Sequence, residues 1–309
     1  MSRVNAPDVQ SPAISIQGLT KRYGQLTALN NLNLNVASGE VFGFLGLNGA
    51  GKTTAIRLLL DLLRPTSGQA FIFGHNCLTE SLEVRKRIGY LPGELGLFLD
   101  LRGLQALDFF AGLNGRPINH QRRQELFDRL EMPQRDLSRR LREYSTGMKR
   151  KLGLIQAFEA DPPLLILDEP TEGLDPLMKE SFYTLLADAK RRGATVFMSS
   201  HVLSEVERVC DRIALLRKGE LVLLSSVAEV RRLAERRVRI HFHDPVTIHP
   251  ELPAGHEAVE IKPHLWQLKV VGPLGPLLAH LEGMPVKDLE IEEARLEDVV
   301  LKYYREGTA

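Results

Sequence analysis

The chain has 309 residues, with 40 lysines and arginines against 39 aspartates and glutamates, so it lacks the global basic field of a dedicated nucleic-acid binder. Its two cysteines, Cys77 and Cys210, lie far apart with no C-x-x-C pair, which argues against a disulfide framework or a zinc site and suits a reducing cytosol. The length leaves room for one large domain with a smaller companion, and no stretch approaches the roughly 18 to 20 apolar residues of a membrane span.

Residues 1–12 are polar with two prolines and no apolar secretion core, and are expected to be a flexible tail. Alternation at Ile14 to Ile16 and at Leu32, Leu34 and Val36 predicts a half-exposed antiparallel sheet. Between these runs sits Tyr23, whose ring either stacks on a nucleotide base or closes a hairpin. A short apolar strand through Val41 to Leu45 then breaks into Gly46-Leu47-Asn48-Gly49-Ala50-Gly51-Lys52-Thr53-Thr54, a full match to G-x-x-x-x-G-K-[ST]. Glycines at 46, 49 and 51 let the backbone curl so that N–H groups converge on an anion, and the helix expected over Ala55 to Leu63 aims its positive end at the same point. Lys52 can reach the outer phosphates, and the Thr53 hydroxyl is placed to ligate the Mg²⁺ that accompanies a nucleoside triphosphate.

Further strands are expected at Gln69 to Phe73 and Ile88 to Leu91, with a short basic helix between them. Leu101 to about Ala160 reads as a helical insertion containing helices at Leu104 to Leu113, at Gln121 to Glu131 and from Ser145. Ser145 and Gly147 at the start of a helix form either a second anion site or a plain N-cap. Leu164 to Leu167 is a fully apolar strand ending on Asp168 and Glu169, the pattern of a central parallel strand whose end carries a ligand site. Asp168 can support a magnesium shell; Glu169, expected to point the other way, can take a proton from water. A helix follows Gly173-Leu174-Asp175, and a second apolar strand, Ala194 to Ser200, ends on His201, placed to reach a γ-phosphate.

In this order and spacing, the motifs resemble the ATP-binding cassette family, and more narrowly the ATPase subunit of a bacterial ABC-2 type exporter. The resemblance spans about residues 13–232. It implies that Tyr23 is the base-stacking aromatic, Gly46 to Thr54 the Walker A loop, Ser145 and Gly147 the signature, Asp168 and Glu169 the Walker B pair, Asp175 the D-loop aspartate and His201 the switch histidine. Two departures stand out. Tyr144, Thr146 and Met148 replace members of the family's Leu-Ser-Gly-Gly-Gln, and Gly93 followed by Glu94 stands where the family presents a metal-sensing glutamine. Glu94 is therefore a candidate metal ligand.

The resulting fold class is α/β: a P-loop NTPase core with an antiparallel β subdomain and a helical insertion at about 97–160, and a small C-terminal α+β domain. The nucleotide-binding domain is placed at 13–232 and the accessory domain at 233–309. In the latter, Trp266 reads as core, and His241, His243, His249 and His256 lack metal-ligand spacing. The basic passage from Arg231 to Arg239 reads as a solvated face rather than a contact with an acidic membrane. The family implies ATP and Mg²⁺ as cofactors, a homodimer or pair of cassette subunits, and a separately encoded permease docking near Leu97 to Leu113. It further implies a cytoplasmic protein peripheral to the inner membrane face, with no nucleic-acid partner. The rival class is a soluble cassette ATPase of DNA repair, chromosome structure or translation; those carry two cassettes or a long coiled coil, and neither pattern is present.

Overall fold

The computed structural model describes residues 12–292 apart from 95, 97, 98, 114–117, 234 and 247–251, together with 297, 299 and 300. Most of the expected tail, Leu97 and Phe98 of the expected docking stretch, His249, and most of a helix that the sequence suggests over Leu296 to Tyr304 fall outside these residues. The chain divides into two compact units, Met1–Leu224 and Ser225–Ala309.

In chain order the first unit contains β1 (Ile14–Tyr23), β2 (Leu26–Val36), β3 (Val41–Leu45), α1 (Lys52–Leu59), β4 (Ser67–Ile72), β5 (His75–Asn76), α2 (Ser81–Arg85) and β6 (Ile88–Leu91). The helical stretch follows as α3 (Gly103–Leu113), α4 (His120–Arg129), α5 (Gln134–Leu137), a 3₁₀ turn at Leu141–Glu143, and α6 (Thr146–Phe158). The unit continues with β7 (Leu164–Asp168), α7 (Pro176–Arg191), β8 (Thr195–Ser200), α8 (Leu203–Val209), β9 (Arg212–Arg217) and β10 (Glu220–Ser226), whose last two residues belong to the second unit. Two sheets result. An antiparallel one has the order β2-β1-β4-β5, with Ile14 of β1 facing Val36 and Ile72. The other has six strands in the order β10-β9-β3-β8-β7-β6, in which β3, β6, β7, β8 and β9 are parallel.

The apolar runs determine this second sheet: every residue of β3, β7 and β8 is buried, which requires cover on both faces. Phe42 and Phe44 stand over Phe197 with ring centroids 5.8 and 5.2 Å apart, and α1 adds Ile56 and Leu59 to the same core. Each such side chain contributes about 1.5–3 kcal/mol by leaving water. Because β8 lies between β3 and β7, the C-terminal ends of three buried strands open side by side.

The second unit contains α9 (Val227–Leu233), β11 (Arg236–Phe242), β12 (His256–Lys262), β13 (Leu265–Val270), α10 (Gly275–His280) and β14 (Val286–Glu292). Its antiparallel sheet has the order β12-β13-β11-β14. Alternation sends Val238, Ile240, Phe242, Trp266, Leu268 and Val270 into a core shared with Leu277 and Leu281, where Phe242 meets the Trp266 ring edge-on at 4.9 Å. Arg239, on the opposite face, lies 3.4 Å from Glu290 and 3.1 Å from Glu292. Among the described residues no helix is long and apolar enough to cross a membrane.

Candidate functional site

The glycine loop begins where β3 ends. Gly51 sits at φ 110° as the N-cap of α1 and provides no side-chain bond to the helix's first amides, which leaves them free to meet an anion. A Cβ at Gly51 would stand 2.5 Å from the carbonyl oxygen of Ala28, so this position needs glycine for space as well as for its left-handed backbone. Asn48 and Gly49 are exposed at the tip, Ala50 is buried with its N–H donating to Leu47 O at 3.0 Å, and Thr54 is half-buried in the first turn. Lys52 is 6% exposed; its Nζ donates to Gly46 O at 2.6 Å and lies 3.2 Å from Glu169 Oε1.

The polar ends of β7 and β8 join this loop through a chain of bonds. Thr53 Oγ1 donates to Asp168 Oδ2 at 3.0 Å, and Ser199 Oγ donates to Asp168 Oδ1 at 2.5 Å. The same Ser199 hydroxyl accepts from Glu169 N at 3.0 Å. His201 Nδ1 lies 2.9 Å from Glu169 Oε2. Strand alternation would turn Glu169 to the opposite face from Asp168; instead the strand stops at Asp168 and the backbone of Glu169 is left-handed, φ 49°. That turn corrects the expected orientation and lets its carboxylate meet Lys52 and His201. Glu169 Oε1 is buried, ion-paired to Lys52, and accepts no hydrogen bond, so a move of Lys52 toward a bound phosphate would free it to accept a water proton.

Ser199 was not singled out by the sequence, where it reads as one more polar residue at a strand end. Its register with Asp168 across β7 and β8 is the property that matters. Among the described residues no three His, Cys, Asp or Glu side chains gather closely enough to hold a metal alone. The Thr53 hydroxyl and Asp168 carboxylate are nevertheless the hard oxygen donors that suit Mg²⁺, an ion that fills its remaining positions with water and substrate phosphates. Glu94 is exposed, and it is Gly93 that lies beside Asp168: a Cβ there would be 3.2 Å from Asp168 Oδ2.

A second group of expected residues is held by helix caps. Ser145 Oγ accepts from Met148 N at 3.2 Å at the start of α6, and Asp175 Oδ1 accepts from Met178 N at 3.0 Å at the start of α7. Gly147 packs so closely on the Gly173 turn that a Cβ would be 2.9 Å from Gly173 O. Tyr144 explains itself: its ring is buried, its hydroxyl donates to Asp136 O at 2.7 Å, and it fills the space left by Gly103, where a Cβ would approach that hydroxyl to 2.1 Å. Burial pushes the phenol up to about 12. Arg150, 3% exposed, donates from Nη1 to Pro92 O and from Nη2 to Gly93 O, both at 2.9 Å, and from Nε to Glu172 O at 3.2 Å. On a sequence it reads as an ordinary helix-surface charge. Tyr23 stands at the end of β1, 45% exposed, paired with Leu26 across the hairpin, with Lys21 Nζ 4.9 Å from its ring centroid.

Residues 29–172 match the family described as ABC transporter. The chain is 40% identical over 215 residues to the bacitracin transport ATP-binding protein of Bacillus licheniformis, covering 69% of each chain. It is 38% identical to a daunorubicin resistance ATP-binding protein of Streptomyces coeruleorubidus, covering 71% of this chain and 70% of that one. With the Nod factor export ATP-binding protein I of Burkholderia orbicola it shares 32% identity over 94% of this chain and 96% of that one. Among solved structures it resembles the ATP-binding subunit of an ABC transporter at TM-score 0.67 and 30% identity, over 71% of this chain and 92% of the other. A dimeric bacterial ABC transporter cassette aligns at TM-score 0.64 and 25% identity, over 69% and 98%.

Proposed function

The chain belongs to the ABC transporter family as an ATP-binding subunit, and we propose that it hydrolyses ATP as a dimer to drive a separately encoded membrane permease, in the direction of export. The observation that carries the reading is the unbroken chain of contacts from Thr53 through Asp168, Ser199 and Glu169 to His201 and Lys52.

The N–H groups of the glycine loop and α1 receive the phosphates, and Tyr23 offers its exposed ring to the base. Lys52 turns from Glu169 toward the outer phosphates as a point charge. Thr53 and Asp168 would hold Mg²⁺, which would supply positive charge to offset that of the phosphate oxygens. Glu169 Oε1 then takes the proton of an attacking water, and His201, bound to the other carboxylate oxygen, fixes the direction in which Glu169 points. Ser145 and Gly147 sit at the start of α6 in the helical insertion, separate from their own glycine loop, which suits presentation to the glycine loop of a second copy. Asp175, capping α7 beside the Gly173 turn on which Gly147 rests, belongs to that same dimer face.

The permease docks on the helical side of the cassette, where a groove of about 260 Å³ is lined by Tyr90, Pro92, Leu107, Phe110 and Leu152. On this reading the protein works in the cytoplasm, peripheral to the inner membrane face. The names of the three relatives, which speak of bacitracin transport, daunorubicin resistance and Nod factor export, support export over a role on nucleic acid.

Glu169→Gln tests the chemistry: ATP stays bound and hydrolysis falls by about 10²- to 10⁴-fold. Hydrolysis at the parental rate would remove Glu169 from the mechanism. For the dimer, Lys52→Ala chains are mixed with Ser145→Arg chains, each inactive alone. Proven mixed dimers should recover activity through one intact site, and no recovery would count against a shared site.

A further inference from the structure

Resting on that reading, we propose that Arg150 is a positioning residue for the Mg²⁺ and ATP site: by gripping the carbonyl oxygens of Pro92 and Gly93, it presses the Gly93 backbone against Asp168 and keeps that carboxylate turned toward Thr53.

The Asp168 carboxylate is enclosed on three sides. Ser199 Oγ holds Oδ1, Thr53 Oγ1 holds Oδ2, and on the third side lies Gly93, whose missing side chain would point at the carboxylate. Gly93 is not in the left-handed region, so its backbone does not require glycine. What sets it apart is the space: a Cβ would come within 3.2 Å of Oδ2 and 3.4 Å of the carboxyl carbon, so Asp168 would have to give by a few tenths of an ångström. The segment that carries Gly93 is in turn held from behind by Arg150. A guanidinium 3% exposed is costly to bury, and the nearest carboxylate oxygen, Glu172 Oε2, stands 3.6 Å away without closing a short pair. Compensation comes instead from three backbone carbonyls, those of Pro92, Gly93 and Glu172, which the planar fork reaches together. Lysine would keep the charge and lose the fork. Arg150 also sits on α6, one turn beyond Ser145 and Gly147, so the helix that presents the second anion site also braces the wall of Asp168.

The test uses the full chain and the variants Arg150→Lys, Gly93→Ala and both together. Two quantities are read: Mn²⁺ bound in the presence of a non-hydrolysable ATP analogue, by electron paramagnetic resonance, and the Mg²⁺ concentration for half-maximal hydrolysis. Loss of an outer support weakens metal retention by about tenfold or more, so Arg150→Lys should weaken Mn²⁺ binding and raise the Mg²⁺ requirement by that factor, while analogue affinity in EDTA stays at the parental value. Gly93→Ala should act in the same direction. In the double variant the effects should not multiply, because a released loop can move its new methyl away from Asp168. Unchanged Mn²⁺ affinity in folded Arg150→Lys, or multiplying effects in the double variant, would overturn the inference. If Arg150→Lys does not fold, unchanged Mn²⁺ affinity in Gly93→Ala does so alone. A parental chain that neither binds Mn²⁺ with the analogue nor hydrolyses ATP would instead overturn the ATPase reading itself.

Discussion

The parallel sheet of the first unit and the antiparallel sheet of the second solve the problem of burial differently, and only one of the solutions creates chemistry. In β3, β7 and β8 every residue is buried, and apart from Thr195 at the start of β8 the polar groups lie toward the strands' C-terminal ends; three adjacent strands stop together, and Lys52, Asp168, Glu169, Ser199 and His201 meet there. In β11 and β13 alternation spreads polar groups along the whole outer face, as with Arg239 between Glu290 and Glu292. Those charges neutralise one another in solvent and converge on nothing. Side-chain position along a strand is therefore expected to predict the kind of damage a substitution does.

The largest effect expected is on stability in the second unit. Trp266 is fully buried against Phe242, and Trp266→Ala should cost about 3–5 kcal/mol. Urea unfolding should show this loss in the second unit while ATP hydrolysis persists; lost hydrolysis at low urea would mean that the units are not chemically separate. Ser199→Ala should do the reverse. It removes the link between Asp168 Oδ1 and Glu169 N, and turnover should fall by about 10- to 100-fold with the melting temperature shifted by only a few degrees. A collapse of stability with turnover per folded molecule intact would make Ser199 a core residue only.

A smaller change is expected from Tyr144→Phe, which gives up the bond to Asp136 O for about 1 kcal/mol. Its pH dependence is more informative. Burial raises the phenols of Tyr90, Tyr144 and Tyr183 from 10.0 to about 12, so the folded chain keeps protons that the unfolded chain releases. Their contribution is complete below about pH 10 and is lost as pH rises through 12. Melting followed across that window should fall less steeply in Tyr144→Phe than in the parent; identical slopes would show that this ring is not held neutral. The smallest effect belongs to Arg239→Ala, an exposed charge whose ion pairs contribute about 0–1 kcal/mol, and chemical unfolding of the second unit should barely register it.

The glycine loop and the two carboxylate- and histidine-tipped strands were legible in the sequence because local rules govern them. Backbone curl needs Gly49 and Gly51, and continuous burial needs unbroken apolar runs such as Leu164 to Leu167. The short elements α5 and α8 were not legible, since neither carries a run long enough to show a helical period and neither stands apart between two strands of expected type as α2 does. Arg150 and Ser199 were missed for another reason: their importance lies in partners 57 and 31 positions away, and a charge or hydroxyl looks the same in sequence whether it is solvated or enclosed. Gly93 is intermediate, since its departure from the family pattern was visible while its place beside Asp168 was not.

The left-handed backbone of Glu169 sets two kinds of selection against each other. A residue with a Cβ held at φ 49° sacrifices about 1–3 kcal/mol, and here the sacrifice turns a carboxylate back toward the site. Asparagine tolerates that conformation better than glutamate. A library randomised at position 169 and screened for heat resistance should therefore enrich chains that cannot turn over, whereas the same library screened for hydrolysis should return glutamate. The fold would be more durable without its base, and the least comfortable residue on the loop is the one that the activity requires.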